Sequence, residues 1–194
     1  MSKKIGLIAE DKSDIEVITE IIAKYIPRNQ FSIKSFVGNG CGKLKQKCDS
    51  WVAHLVGSGC DYVFIFLDLD RNNFSELKKA LEGKVSPKSY PQSLIVIPVE
   101  ELEAWLLADG AAIKSAFSLE KAPKYINNSE SIPSPKEYIA KIVYEIGKKR
   151  YLNTVHNKKI SEHVTLENLR RCASFSGFDK YVTEKIGGGA AAVA

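Results

Sequence analysis

The feature that most constrains the fold is an unbroken apolar run from Tyr62 to Leu67. The run has the length of a β-strand, and a strand that is apolar on both sides is typical of a parallel sheet covered by helices on both faces. Further strands are expected at Ile5–Ala9, Phe31–Val37 and Ser93–Val99, with helices between them at Ile15–Ile26, near Trp51–Val56 and at Asn73–Leu81. Strands that alternate with helices predict an α/β fold with a Rossmann-like, doubly wound parallel sheet.

After this first half of the chain, helix signals replace strand signals. Helices are expected at Glu100–Asp109, from Ser134 onward, at Thr165–Cys172 and at Phe175–Lys185. We therefore expect residues 1–110 to form an α/β domain and residues 111–186 to form a helical extension packed on it. Residues 187–194 are glycine and alanine with one valine, a low-complexity sequence that predicts a flexible tail.

Composition narrows the class of protein. Hydrophobic residues make up 44% and charged residues 26% of the chain, which favours a folded globular protein over a disordered one. The sequence has no apolar run long enough to span a membrane and no signal-peptide pattern, so a cytoplasmic protein without a membrane partner is expected. The net charge of +5 is compatible with a polyanionic partner. Four cysteines without a Cys-x-x-Cys pair, and three scattered histidines, do not predict a zinc site, so the cysteines are expected to be reduced and structural.

Acidic residues follow three of the four predicted strands. They are Glu10, the pair Asp68 and Asp70, and the group Glu100, Glu101 and Glu103. The carboxyl ends of parallel strands meet at one edge of the sheet, which is where ligands bind in open α/β folds. Asp68 and Asp70 are two residues apart in extended chain, so their side chains point to the same side. Carboxylates gathered in this way repel one another unless a cation neutralises them, and oxygen ligands suit Mg²⁺ or Mn²⁺.

Several of these acids also have a structural explanation. Ser13 and Glu16 are spaced as a helix capping box, and Asp14 could serve only to complement the positive end of that helix. Glu101 and Glu103 stand at the start of a predicted helix and could do the same. Packing does not explain the Asp68 and Asp70 pair, because a strand buried on both faces rarely ends in two acids.

Short motifs resemble the TOPRIM family, the Mg²⁺-dependent module of topoisomerases, bacterial primases and OLD-type nucleases. Residues 9–14, Ala-Glu-Asp-Lys-Ser-Asp, resemble the Glu-Gly-Lys-x-Asp motif that opens TOPRIM domains, with Asp11 in place of the glycine. Residues 64–70 resemble the Asp-x-Asp strand of that family. Residues 97–109, and a later pattern in Tyr151–His156 and Ala173–Phe175, are similar to short bacterial TOPRIM-like proteins, some of them found in phage-defence or mobile-element settings.

The resemblance implies a metal-dependent nuclease that acts on DNA or RNA, with phage defence as a biological setting. Its catalytic residues are expected to be Glu10, Asp68 and Asp70. Glu10 would be a metal ligand or general base, Asp68 and Asp70 would hold Mg²⁺ or Mn²⁺, and Glu100 or Glu103 would help to bind a second ion. The residues expected to contact phosphate or nucleic acid are Lys12, Lys43 and His156. The alternative is a TOPRIM-like regulatory subunit that binds nucleic acid or an ATPase partner without cleaving its ligand.

Two further segments leave alternatives open. The glycine-rich segment Gly38–Lys43 could cradle a phosphate or be a plain turn between a strand and a helix, and it is not a Walker A loop because Leu44 stands where Ser or Thr is needed. His156 could be structural rather than a phosphate contact. Trp105 is expected to lie in the core rather than to stack on a base.

Two other classes of protein share part of this pattern of acidic residues. A phosphoacceptor receiver module also has an acid pair after its first strand, as in Glu10 and Asp11, but the expected Lys-Pro is absent and Asp70 would have no role. A haloacid-dehalogenase phosphatase is disfavoured because the segment Asp68–Asn72 lacks the usual Thr or Val.

Overall fold

Four parallel strands form the centre of the protein. The computed structural model describes residues 2–86 and 88–187, and its strands are β1 (Lys3–Ala9), β2 (Phe31–Val37), β3 (Tyr62–Phe66) and β4 (Ser93–Val96). The strand order is β2-β1-β3-β4. Ile5 of β1 lies beside Ile33 of β2 and Tyr62 of β3, and Val63 of β3 lies beside Ser93 of β4. The predicted parallel α/β sheet is therefore confirmed, and its form is compatible with a Rossmann-like fold.

Helices and loops connect these strands and form the second half of the described chain. The helices are α1 (Lys12–Ile22), α2 (Cys41–Gly57), α3 (Phe74–Lys84), α4 (Glu103–Leu107), α5 (Gly110–Phe117), α6 (Pro135–Gly147), α7 (Asn153–His163), α8 (Leu166–Leu169) and α9 (Ser176–Tyr181), which continues into a π-helical turn at Val182–Ile186. The sequence did not predict α5 or α7. Helix α5 is only eight residues long, and α7 is mostly polar, with Val155 and Ile160 as its only aliphatic residues, so α7 has no strong apolar period.

The sheet is covered on both faces, as the apolar run of β3 predicted. Val63 and Ile65 face one side and pack in a core with α2 and α3, including Leu44 and Leu81. The alternating residues of β3 face the other side, where Phe64 contacts Phe178 at a ring distance of 5.1 Å and Phe66 contacts Trp105 at 6.0 Å. Trp105 is fully buried, so its predicted place in the core is confirmed.

The C-terminal helices share one core with the sheet. Buried residues of this core come from α1, α5, α6, α7 and α9, namely Ile18, Ile113, Ile139, Ile160 and Phe178. One sheet face thus carries residues from both halves of the chain. Of the predicted tail at residues 187–194, residues 188–194 lie outside the described part of the chain. No helix among the described residues combines the length and the apolar character needed to cross a membrane.

Two helix starts differ from the sequence prediction. Helix α1 is capped by Asp11 and not by Ser13, which is buried within the first turn; the carboxylate of Asp14 accepts a 2.9 Å hydrogen bond from the Asp11 N–H. Helix α4 begins at Glu103 and not at Glu100, because Glu100 has a φ of 58°, which the right-handed helix cannot include. The helix predicted at Glu100–Asp109 also ends earlier than expected. Helix α4 ends at Leu107, and Asp109 instead caps α5 by accepting a hydrogen bond from the Ala112 N–H.

Candidate functional site

Loops that follow all four strands are held together at one edge of the sheet. Beyond β1 and β2, the Asn39 N–H donates to the Glu10 carbonyl at 2.8 Å. Beyond β3 and β4, the Asp70 N–H donates to the Glu100 carbonyl at 3.1 Å, and the Leu69 N–H to the Pro98 carbonyl at 3.0 Å. These main-chain bonds continue the pairing of the strands past their ends. The acids that follow β1, β3 and β4 are thereby brought to the same edge.

Glu10 and Asp68 are connected by hydrogen bonds across this edge. Glu10 Oε1 accepts from the Asp68 N–H at 3.3 Å, and Asp68 Oδ1 accepts from the Leu102 N–H, just before α4, at 3.0 Å. The two carboxylates therefore join the loops after β1, β3 and β4. Both are acceptors for main-chain N–H groups, which holds each side chain in a defined place.

Asp68 is surrounded by other carboxylates. Burial is the largest cause that raises the pKa of Asp68 well above its usual value, and the charges of Asp14, Glu103, Glu10 and Asp70 raise it further. We call these five residues the acidic cluster. Burial also raises the pKa of Glu10. The hydrogen bond from the Asp68 N–H opposes this rise, and the charge of Asp70 adds to it. The acidic cluster therefore concentrates negative charge where water screens it poorly.

Asp14 is a member of the cluster that the sequence left undecided between a helix cap and a site residue. Burial raises the pKa of Asp14 to about 7, the hydrogen bond from Asp11 opposes this rise, and the charges of Glu103, Asp11 and Glu10 add to it. Asp14 lies in the first turn of α1, the helix that directly follows the loop with Glu10. Asp14 both caps α1 and contributes charge to the cluster.

Glu103 is buried and is held by the C-terminal helices. Its side chain is 3% exposed, and Glu103 Oε1 accepts from the Asn157 side-chain amide at 3.0 Å. The Tyr151 hydroxyl donates to Asn157 Oδ1 at 2.6 Å. Asn157 belongs to α7, a helix that sequence reasoning missed, so no sequence pattern indicated this connection. The chain from Tyr151 through Asn157 to Glu103 fixes one carboxylate of the acidic cluster.

Lys136 places a cation beside the cluster. The main-chain N–H of Lys136 donates to Glu101 Oε2 at 2.9 Å, and the side-chain ammonium lies 3.8 Å from Glu101 Oε1. Burial disfavours the charged lysine, but the charges of Glu103, Glu101 and Glu137 outweigh this effect and raise the pKa of Lys136. A lysine in the first turn of a helix opposes the helix dipole. That unfavourable position was the signal in the sequence that Lys136 has another role.

The two lysines predicted to contact phosphate, Lys12 and Lys43, lie on helices α1 and α2. Lys12 is at the start of α1, largely exposed and 4.0 Å from Glu16. Lys43 is exposed on α2, whereas the charge of Lys45, two residues later, is the one that acts on Glu10. Residues two apart on a helix differ by about 200° in direction, so only one of the two lysines can face the cluster.

Two other predicted residues have local roles in the structure. The His156 ring stacks on Phe117 at 4.6 Å, and its Nδ1 lies 3.0 Å from the Leu152 main-chain nitrogen. For Glu100, the structure shows a left-handed main chain that binds Asp70 through its carbonyl group. Helix packing and loop geometry account for these observed contacts of His156 and Glu100.

The main chain of Asp11, the residue that the TOPRIM resemblance matches to a glycine, has an ordinary conformation. Its φ of −123° is extended, a value that any residue adopts, so a glycine is not required at this position for the main chain. The substitution adds a carboxylate at the helix cap without disturbing the turn from β1 into α1.

The donor set matches a hard divalent cation in chemistry. Glu10, Asp68 and Asp70 offer only oxygen ligands, and a cation would relieve the repulsion that raises the pKa of Asp68. As the side chains stand, no group of three or more His, Cys, Asp or Glu residues within 2–86 and 88–187 is arranged to hold a metal ion. Binding of a cation at this edge would therefore require the carboxylates to rotate toward one another.

Comparison with known proteins identifies a family. Over residues 9–182 the chain matches the family described as "Domain of unknown function (DUF4276)". The match begins one residue before Glu10 and extends past α9, so it includes the whole acidic cluster and the helices that support Glu103. No curated protein and no solved structure matches the chain.

Proposed function

The chain belongs to the DUF4276 family, and from the geometry of its acidic cluster we propose that it is a Mg²⁺- or Mn²⁺-dependent nuclease, which hydrolyses phosphodiester bonds in DNA or RNA. The observation that carries the proposal is the position of Asp68. Its carboxylate lies at the carboxyl edge of a parallel sheet among four other carboxylates, and its pKa is raised by burial and by their charges. A divalent cation is the partner that such a group favours.

The roles of the acids follow from their positions. Asp68 and Asp70 would hold the cation, with Glu10 as a further ligand or as the general base. The raised pKa of Glu10 suits a base, because a proton acceptor works best when its pKa approaches the working pH. Glu103, fixed by Asn157, is the candidate ligand for a second ion. The bound metal would supply polarisation of the phosphoryl oxygens and activation of water.

Cations of the protein flank these acids on two sides. Lys45 of α2 acts on Glu10, and Lys136 of α6 lies beside Glu101 and Glu103. An acidic site alone repels a polyanion, so a nuclease needs such cations to attract the phosphates of its substrate. This arrangement supports an active site between α2 and α6. The strand-end acids would have the role that the resemblance to TOPRIM domains implies for them. We further propose a cytoplasmic location and a function in phage defence.

The proposal is tested by cleavage with the purified chain. Single-stranded and duplex DNA and RNA are incubated with Mg²⁺, Mn²⁺ or EDTA, using wild type, Asp68→Asn, Asp70→Asn and the surface control Glu82→Gln. The carboxylate of Glu82 is exposed on α3, where it forms a 3.8 Å surface ion pair with Lys78. Loss of its charge should therefore not affect the site. We expect metal-dependent cleavage by wild type and Glu82→Gln and at least a hundred-fold loss in both aspartate variants.

Two results would contradict the assignment. Equal cleavage by wild type and the aspartate variants would show that the active site lies elsewhere. Nucleic-acid binding without cleavage under any metal condition would favour the regulatory alternative, in which the chain binds nucleic acid or an ATPase partner and does not cut.

A further inference from the structure

A groove between α2 and α3 opens beside the acidic cluster. It has a volume of about 360 Å³, and its lining includes Lys45, Asn72, Asn73, Leu77, Ala80 and Lys84. We call it the α2–α3 groove. Its volume falls within the range of about 300–1,000 Å³ that small-ligand sites have in proteins.

One turn of the chain joins the groove to the cluster. Asp70 and Arg71 have φ values of 45° and 62°, so the main chain turns sharply directly after the Asp-x-Asp segment. The Asn72 side-chain amide donates to the Leu69 carbonyl at 2.7 Å, and Asn73 caps α3 by accepting from the Glu76 N–H at 3.1 Å. Because these bonds fix the turn, the wall of the groove starts two residues after Asp70.

The opposite wall is connected to the same site. Lys45 lines the groove, and its charge acts on Glu10. The Lys84 ammonium donates to the Lys45 carbonyl at 2.5 Å, which brings a second positive charge to that wall. The groove thus has a lysine from each helix in its lining, and at Asn72 its lining is two residues along the chain from Asp70 of the acidic cluster.

The lining combines two kinds of chemistry. Leu77, Ala80 and Leu81 provide an apolar surface, the two lysines provide positive charge, Asn72 provides a polar amide, and Glu76 adds one carboxylate at the first turn of α3. A flat base packs on an apolar surface, polar side chains bind its edge, and a lysine binds the attached phosphate. A nucleotide presents these features together.

We propose that the α2–α3 groove holds one unpaired nucleotide of a single-stranded substrate, next to the phosphate that is cleaved. This inference rests on the proposed nuclease function. In a duplex each base is stacked on its neighbours and paired at its edge, so its face cannot enter a groove of this size. The groove therefore selects single strands over duplexes.

The test measures binding without cleavage. The parent is the Asp68→Asn/Asp70→Asn double variant, and the probes are fluorescein-labelled 12-nucleotide single strands of DNA and of RNA and the matching DNA duplex. Two changes are made in this parent, Lys45→Gln to remove the charge and Ala80→Phe to fill the groove from its exposed side. Lys47→Gln, a loss of the same charge at an exposed position of α2, is the matched control.

We expect the parent to bind at least one single strand at least ten-fold more tightly than the duplex. Lys45→Gln should weaken that binding about ten-fold at low salt and reduce the slope of log affinity against log salt by about one. Ala80→Phe should weaken it about ten-fold with little change in the salt slope, because it removes space and not charge. Lys47→Gln should bind like the parent, and circular dichroism should show all variants folded.

The inference is overturned if the parent does not prefer single strands, or if Lys45→Gln and Ala80→Phe both bind like Lys47→Gln. Its failure is separable from that of the nuclease proposal. If wild type cleaves while the groove variants bind normally, only the groove assignment fails. If wild type does not cleave but the groove variants lose binding, the groove binds a nucleotide, and the nuclease proposal fails together with the placement of a cleaved phosphate beside the groove.

Discussion

Replacing Asp14 with asparagine tests the electrostatic state of the acidic cluster. Asp14→Asn removes one negative charge and keeps a side-chain oxygen that can accept the hydrogen bond from the Asp11 N–H. Burial and the neighbouring acids raise the pKa of Asp14 from 3.8 to about 7 in the folded protein. The folded state therefore holds this proton more tightly than the unfolded state does.

The sign of the effect follows from linkage. At pH 4, close to the unfolded-state pKa of 3.8, the carboxyl is only about half ionised in the unfolded chain and is protonated in the folded protein, so it costs little stability. As the pH rises toward 7, the unfolded chain loses the proton easily and the folded protein does so only against burial and repulsion, so wild-type stability falls. At about 1.36 kcal/mol per pH unit, the full effect at pH 8 is about 4 kcal/mol, and solvent access around the partly exposed side chain reduces it to about 2–4 kcal/mol.

Asp14→Asn should therefore stabilise the protein by about 2–4 kcal/mol at pH 8 and by less than about 0.5 kcal/mol at pH 4. Urea unfolding followed by circular dichroism in EDTA measures both values. Glu16→Gln is the matched control on the same helix, where the carboxylate forms only a 4.0 Å surface pair with Lys12, and it should change stability by less than about 0.5 kcal/mol at either pH.

Adding Mg²⁺ at pH 8 extends the test. A cation that binds the folded cluster stabilises wild type by mass action and neutralises the repulsion that Asp14→Asn relieves, so the difference between the two proteins should shrink. If Asp14→Asn is no more stabilising at pH 8 than at pH 4, the cluster does not carry the unfavourable charge on which the metal site is argued.

Two further substitutions test the contacts that the C-terminal helices make. Asn157→Leu should cost about 2–4 kcal/mol in urea unfolding, because it leaves Tyr151 and Glu103 without their buried partner, and Lys158→Gln, an exposed change on the same helix, should cost less than about 0.5 kcal/mol; equal stability of the two variants would contradict the hydrogen-bond chain. Phe178→Ala should cost about 3–5 kcal/mol and keep a single unfolding transition, since this buried ring packs on the sheet; two separate transitions would mean that the helical extension unfolds independently.

The strands and most of the strand-end acids were predictable because their signals are local. An apolar run of strand length defines β3 without knowledge of its neighbours, and alternation with helices makes the sheet parallel. In a parallel sheet all carboxyl ends lie at one edge, and because β1 and β3 are neighbours in the strand order, Glu10 and Asp68 come within hydrogen-bond distance of each other. The helix starts were less certain, since Asp11 and Ser13 are both good caps and only packing chose Asp11.

The sequence by itself thus determined the class of fold and the edge at which the acids gather. Tertiary structure alone decided which other groups reach them. Lys45 acts on Glu10 where Lys43 was predicted to contact phosphate, because a shift of two residues turns a side chain about 200° around a helix. Asn157 and Lys136 come from helices far along the chain, and their approach depends on how α6 and α7 pack on α1 and α4. The first-turn position of Lys136 indicated a role, but its partners, like those of Asn157, were decided by packing between distant segments, which no local pattern encodes.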